Sequence, residues 1–454
     1  MTWDLHPDAL DPQLLLHRLD QIRQDLSDHP DHAPALRDEH LDEIQDVLTA
    51  HLNAPRAKYQ GRHVDRPPPV VFMAPHPQTS IFQSVVQDCL GPVVGADGPD
   101  SRRPLWHWAE GVKDIYRRFG PCDPRWLEVR LYELLTHDTH PFVKPADEPV
   151  GIGDTAEVVL VGDWPTALPQ ALNVSQAIRA RLQGTPTIER HVIHLGDTYY
   201  CGLREEYEHR FLPHWPVDAG SPVPSWSLNG NHDMYTGGYG YFDTLLNDER
   251  FRGQRGSSNF ILRNSYWQLV ALDSAYQAPD DPSLSGEQQD WLGRVVNAAI
   301  GAPARQTVLL SHHQAFTAYG DSQVSGKLAA DVTSALDGAR VAAWFWGHEH
   351  RGTVYAADIS APNYNRVARY TATVGHGGVP QLVDIEGRPE TTVNDTLLSP
   401  GQGGWEFTGS YTIDEDTWGL GGYAVLSFDR QRLEASYFDQ TGALRHGPTV
   451  IMPV

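Results

Sequence analysis

From residue 155 onward the chain repeats one pattern: a short apolar run, then glycine with aspartate, asparagine or histidine, then a stretch of helical spacing. Such runs are too short for helices and are bounded by turn formers, so they read as buried strands, and their alternation with helices specifies an α/β domain. Val158–Val161 and His191–Leu195 flank a helix, Ala171–Leu182, whose Val174, Ala177, Ile178 and Leu182 share one face. These three segments make a βαβ unit with parallel strands. Further strands are expected at Trp226–Leu228, Trp267–Leu272, Thr307–Leu310 and Val341–Trp346, with a helix at Ser285–Ala299. Tyr423–Phe428 and Leu433–Phe438 flank Asp429-Arg430-Gln431 and read as a hairpin.

Before residue 150 the pattern differs. Asp11-Pro12 suits a helix start, and Leu15, Leu19, Ile22 and Leu26 then fall on one face; Leu41, Ile44 and Leu48 mark a second helix. A β-like run, Val70–Met73, follows three prolines, and two more helical stretches cover Trp108–Phe119 and Trp126–Leu135. The proline-containing segment His140–Gly153 reads as a boundary. The expected organisation is a mostly helical N-terminal region over residues 1–150 and an α/β domain over 151–454.

Charge narrows the partners. Lys+Arg 35 against Asp+Glu 58 leaves a net charge of −23, spread along the chain, which disfavours bulk nucleic-acid binding and docking on anionic membranes. Cys89, Cys122 and Cys201 form an odd, sparse set without zinc spacing or a disulfide framework. The first residues lack a basic stretch followed by an apolar one, and no apolar run is long enough to span a bilayer. A cytoplasmic protein with no membrane partner is expected.

Ligand-type residues collect where the strands end. Asp163 follows the first strand, Asp197 the second, and Asn231-His232-Asp233 the third; His312-His313 closes the strand after Thr307, and His348 and His350 sit in Gly347-His348-Glu349-His350. In an open α/β sheet, residues just past the carboxyl ends of strands converge on one crevice. Carboxylate, amide oxygen, phenol and imidazole make a mixed oxygen and nitrogen set suited to first-row metals. A glycine before four of the five clusters lets the backbone approach an ion closely. Any one cluster alone could be an ordinary turn, but independent turns have no reason to carry this order of ligand types. Gly151-Ile152-Gly153-Asp154 has the letters of a dinucleotide loop, yet it precedes a strand rather than following one.

These blocks, Gly-Asp, Gly-Asp, Gly-Asn-His-Asp, His and Gly-His-x-His, resemble those of the calcineurin-like metallophosphoesterases in kind and order, over about residues 155–450. The second block puts Tyr200 three residues after Asp197, as in the purple acid phosphatase branch. Pro165 stands where that branch has glycine and where other members have the histidine of Asp-x-His. The resemblance implies a four-layer α/β/β/α sandwich holding two metal ions. One would be bound by Asp163, Tyr200 and His350, the other by Asn231, His312 and His348, with Asp197 bridging. Tyr199 is expected to pack. The phenolate favours Fe(III) in the first position, although a divalent ion also suits it; zinc, manganese or Fe(II) suits the second.

The implied reaction is hydrolysis of a small phosphate ester by a metal-bridging hydroxide, with His232 as general acid and Asp233 orienting its imidazole. Turn capping is the competing role for Asp233. His313 and His376 are candidate contacts to substrate oxygens, and Cys201 a buried structural thiol. Within the enzyme class a phosphodiesterase or nucleotide pyrophosphohydrolase competes with a monoesterase. A binding or scaffold protein that has lost catalysis is the rival outside it, and the complete ligand set argues against that rival.

Overall fold

A computed structural model describes residues 138–184, 188–300, 305–320, 324, 326–357, 367–381, 383–384, 393–413 and 416–454. The helices and the β-like run expected between Asp11 and Leu135 lie outside these residues. In chain order the main elements are β1 (Val150–Gly151), β2 (Thr155–Val161), α1 (Pro169–Leu182), β3 (Glu189–His194), β4 (Ser225–Ser227), β5 (Phe260–Arg263), β6 (Trp267–Leu272), α2 (Gly286–Ile300) and β7 (Gln306–Ser311). There follow α3 (Lys327–Ala335), β8 (Val341–Trp346), β9 (Gly352–Val354), β10 (Ala368–Val374), β11 (Trp405–Glu406), β12 (Ser410–Ile413), β13 (Asp416–Gly419), β14 (Gly422–Asp429), β15 (Arg432–Asp439) and β16 (Leu444–Val450).

Two sheets carry the fold. One has the order β16-β15-β14-β2-β3-β4 and the other β1-β5-β6-β7-β8-β10-β9-β11. The βαβ unit is present: β2 and β3 are parallel, with Val158 opposite His191, and α1 begins with proline in its first turn, where the missing N–H costs nothing. The hairpin is also present, β14 pairing antiparallel with β15.

Burial on both strand faces explains the uninterrupted apolar runs. Val158 and Leu160 of β2 point into a core shared with Leu269 and Ala271 of β6 and Val308 and Leu310 of β7. Their neighbours Val159 and Val161 face outward onto Val174 and Ile178 of α1. On the far side Val270 and Leu272 meet Leu292 and Val296 of α2 and Val332 of α3. The layers are therefore helix, sheet, sheet, helix, the four-layer α/β/β/α sandwich.

One compact unit runs from His140 to Val454. Its first residues are tied to the interior, since the His140 amide donates to the Gly237 carbonyl at 2.8 Å and the Tyr276 hydroxyl donates to the His140 carbonyl at 2.6 Å. Among the described residues no helix is long and apolar enough to cross a membrane.

Candidate metal centre

The carboxyl ends of β2, β3, β4, β7 and β8 deliver Asp163, Asp197, Asn231, His312 and the His348/His350 pair to one place. Delivery strains the backbone. Asp163, Asp197, His348 and His350 have φ of +54°, +72°, +66° and +48°, the left-handed region, which costs a residue with a β-carbon about 1–2 kcal/mol. Such strain persists only where surrounding structure over-determines it, and it clusters at functional sites. Two glycines are required by close approach. A β-carbon on Gly196 (φ +103°) would lie 2.6 Å from His312 Nδ1, and one on Gly230 would lie 2.1 Å from Asp197 Oδ1.

The ligand atoms form two adjoining groups. In the first, Asp163, Asp197 and His350 offer atoms all within 4.8 Å of one another. The Tyr199 hydroxyl sits among them, 2.9 Å from Asp163 Oδ1, 3.3 Å from Asp197 Oδ2 and 2.8 Å from His350 Nε2. In the second, Asn231 Oδ1 is 3.1 Å from His312 Nε2 and 3.1 Å from His348 Nδ1. Asp197 Oδ2 is 3.3 Å from His312 Nε2, so a single carboxylate oxygen touches both groups.

Neighbouring hydrogen bonds aim these atoms. His312 Nδ1 donates to the Leu195 carbonyl at 2.9 Å, which turns Nε2 toward the cluster. The Asn231 amide nitrogen donates to the Tyr235 hydroxyl at 2.8 Å, turning its oxygen toward the two histidines. Burial works against charge on His312, yet the Asp197 and Asp163 carboxylates overcome it and raise this imidazole to about 9. Burial likewise opposes charge on Asp197, but the facing histidines hold it well below the usual carboxylate range. Burial and the positive His312 push His348 down to about 3. The buried carboxylates thus draw positive charge, and convergent oxygen and nitrogen lone pairs around them fit a pair of metal ions.

Three expectations change. The phenol at the cluster belongs to Tyr199, not Tyr200. Past the end of β3 the strand rule for side-chain direction lapses, and an ion pair from the next turn, buried Glu206 with partly exposed Arg210, decides instead. Glu206 accepts hydrogen bonds from the amides of Tyr200, Cys201 and Leu203; Arg210 donates to the Tyr199 carbonyl and lies 5.3 Å over the Tyr200 ring. Tyr200 is thereby turned to Arg210, and Tyr199 to the carboxylates.

Asp233 does not orient His232. Its carboxylate accepts the Tyr207 hydroxyl and the amides of Asp197 at 2.9 Å and Gly230 at 2.7 Å, so it pins the two ligand loops together and caps the helical turn Asn231–Met234. His232 is held instead by the Tyr200 carbonyl, which accepts from Nδ1 at 2.7 Å, while its own amide donates to Asp197 Oδ1 at 3.0 Å.

His313 joins His312 and His348 in a further group of ligand atoms within 4.8 Å of one another. Cys201 is a buried thiol. His376 does not enter either ligand group; its ring lies 4.8 Å from that of Phe407, beside a cleft that His350 also lines. Burial holds His376 down to about 4, against an opposing pull from the Arg351 backbone. The unfolded chain takes up this proton below about pH 6.5 and the folded one only near pH 4, so stability is lost as pH falls through that window. The loss approaches about 3 kcal/mol at its acid end. Denaturant titrations should show a shallower decline between pH 6.5 and 4 for His376→Gln than for the parent; parallel curves would contradict this.

Residues 156–352 match the family model for calcineurin-like phosphoesterases. Among solved structures, a purple acid phosphatase from yellow lupin seeds aligns at 14% identity over 66% of this chain and 53% of that one, with a TM-score of 0.43. GAP50, the anchor in the inner membrane complex of Plasmodium, aligns at 10% identity over 64% of this chain and 87% of that one, TM-score 0.45. A metallophosphoesterase from Sphaerobacter thermophilus aligns at 14% identity over 64% and 89%, TM-score 0.24. The chain spans about half the length of the lupin phosphatase. No curated protein matches it. All the converging ligand residues fall inside the matched segment, so residues 156–352 carry a calcineurin-like phosphoesterase domain.

Proposed function

We propose that the chain is a binuclear metal-dependent phosphoesterase acting on a small phosphate ester. The observation that carries this reading is the single Asp197 oxygen in contact with both ligand groups, at 3.3 Å from His312 Nε2 and 3.3 Å from the Tyr199 hydroxyl. Asp163, Tyr199 and His350 would hold one ion; Asn231, His312 and His348 the other; Asp197 would be shared. The phenol and carboxylates of the first set suit Fe(III), and the second set suits zinc, manganese or Fe(II). When bound, such a pair supplies Lewis acidity toward phosphoryl oxygens and acidifies water.

The chain's own residues do the rest. With Nδ1 of His232 committed to the Tyr200 carbonyl, Nε2 is the nitrogen that titrates, and it faces the centre, 3.8 Å from Asp197 Oδ2. Burial lowers the pKa of this imidazole while Asp197 opposes the shift, so a proton on Nε2 is held by the carboxylate yet readily released to a departing alkoxide. The catalytic unit would extend over residues 151–454. Sparse cysteines, with Cys201 buried and reduced, fit a cytoplasmic setting.

Metal content and a hydrolysis screen on monoesters, diesters and nucleotides test the reading. His232→Ala should keep both metals and slow alkyl esters about 10²-fold more than esters of activated phenols, which scarcely need protonation. Equal slowing of both ester types would reject His232 as the acid. Full metal occupancy without hydrolysis of any ester would leave a scaffold.

A further inference from the structure

Beside His350 and Arg351 opens a cleft of about 390 Å³, its mouth included. Most of its lining lies beyond residue 352, outside the segment that matches the family. Gly409, Gly419 and Leu420, at the base of the β12–β13 hairpin, contribute to it, and the Leu420 amide closes that base on the Gly409 carbonyl at 2.8 Å. A cleft that shares His350 with the ligand cluster can hold whatever is attached to a phosphoryl group there.

The lining is balanced in charge and rich in both kinds of hydrogen-bonding group. Arg351 and Glu406 both line the cleft, and the two are linked through Tyr319, whose ring lies 4.1 Å under the guanidinium and whose hydroxyl donates to Glu406 Oε1 at 3.2 Å. No net positive charge is left for a second phosphate, and the chain's charge of −23 disfavours polyanions further. Gln170, on α1, is 3% exposed, yet the only hydrogen-bond contact of its side chain among the described residues is Tyr411 at 3.5 Å. The Gln381 side chain makes none among them. Two carboxamides that both donate and accept, a carboxylate and a guanidinium match hydroxyl groups, which also do both. The rings of Phe407 and His376, 4.8 Å apart and tilted by 48° to each other, add apolar contact area.

We infer that this cleft is the subsite for the alcohol portion of the substrate and that it takes a neutral, hydroxyl-rich ring of about monosaccharide size. This rests on the phosphoesterase reading and adds to it a substrate class, the sugar monophosphates. An unsubstituted aryl group would use the rings and leave the carboxamides unanswered.

The test compares a hexose monophosphate, p-nitrophenyl phosphate, a nucleoside monophosphate and inorganic pyrophosphate on the full chain with its metals. The hexose ester should exceed the nucleotide and pyrophosphate in kcat/KM by about tenfold or more. Gln170→Ala with Gln381→Ala should cost the hexose ester about tenfold, the usual worth of a lost hydrogen bond or two, and p-nitrophenyl phosphate less than about twofold. Independently of turnover, ligand-observed NMR should detect the free hexose on metal-free parent protein and lose it in the double variant. Hydrolysis of p-nitrophenyl phosphate without preference for the hexose ester, or a double variant that slows every ester alike, would overturn the subsite and leave the phosphoesterase reading standing. Failure to hydrolyse any ester with both metals bound would overturn both.

Discussion

Asp197→Asn should lower kcat by about 10³-fold or more and leave both metal positions largely empty while the chain stays folded. The carboxylate touches both ligand sets, so its neutral isostere keeps the volume but removes the shared anion that two cations require. Its second oxygen also accepts the His232 amide at 3.0 Å, a contact an amide oxygen can retain, so loop geometry is not the variable being changed. The surrounding charges supply a second readout. Asp197 is the chief force raising His312 to about 9 against burial; in the metal-free variant the His312 imidazole should therefore titrate at a lower pH, followed by NMR. The fold tolerates the change because its stability lies in three apolar clusters, one between the sheets and one on each outer face. Mass spectrometric metal counts, circular dichroism and turnover together check the expectation. A folded variant holding both metals and turning over within about tenfold of the parent would remove Asp197 from the shared position.

The central strands were legible in the sequence because strands buried on both faces read as unbroken apolar runs, and β6 and β8 begin and end where those runs do; the four layers came only from the family resemblance. The same physics hid other strands. β5, β9, β11 and the β12–β13 hairpin have four residues or fewer, too short for periodicity to separate them from loops. β10 alternates legibly, with Ala372 and Val374 facing the intersheet core, but arginine, tyrosine and threonines between its apolar residues break the run. The centre was legible as blocks because each block sits directly after a strand, where the sheet fixes its position. Side-chain direction within a block was not. Asp233 stands next to His232 in the chain, yet its carboxylate goes to Tyr207 and two amides, partners that no local spacing reveals. The cleft beside His350 is built from residues as distant as Gln170 and Leu420, and only the folded chain brings them together.

Tyr199→Phe and Tyr200→Phe should part sharply, and the first should be the damaging one. Counting three residues from Asp197 points to Tyr200, whereas the folded loop puts the Tyr199 hydroxyl 2.9 Å from Asp163 Oδ1 and 2.8 Å from His350 Nε2 and places Tyr200 under Arg210. In this cluster burial and the two carboxylates hold the Tyr199 phenol well above its ordinary pKa, so without a cation it stays neutral and donates to Asp163. A trivalent ion reverses that balance, because a phenolate is a hard anionic ligand and the ion's charge outweighs the two carboxylates. Protein loaded with Fe(III) should then show a visible phenolate-to-iron band that Tyr199→Phe abolishes and Tyr200→Phe retains. Tyr199→Phe should also bind the first ion more weakly and turn over about 10- to 100-fold more slowly, in the range expected for losing a ligand or its immediate support. Tyr200→Phe should keep both metals and most of its activity, since Glu206 and Arg210 hold the loop through backbone atoms that the substitution does not alter. A band lost in Tyr200→Phe and kept in Tyr199→Phe would return the ligand to the position that sequence spacing favours. A colourless iron-loaded parent would show that neither phenol binds the metal.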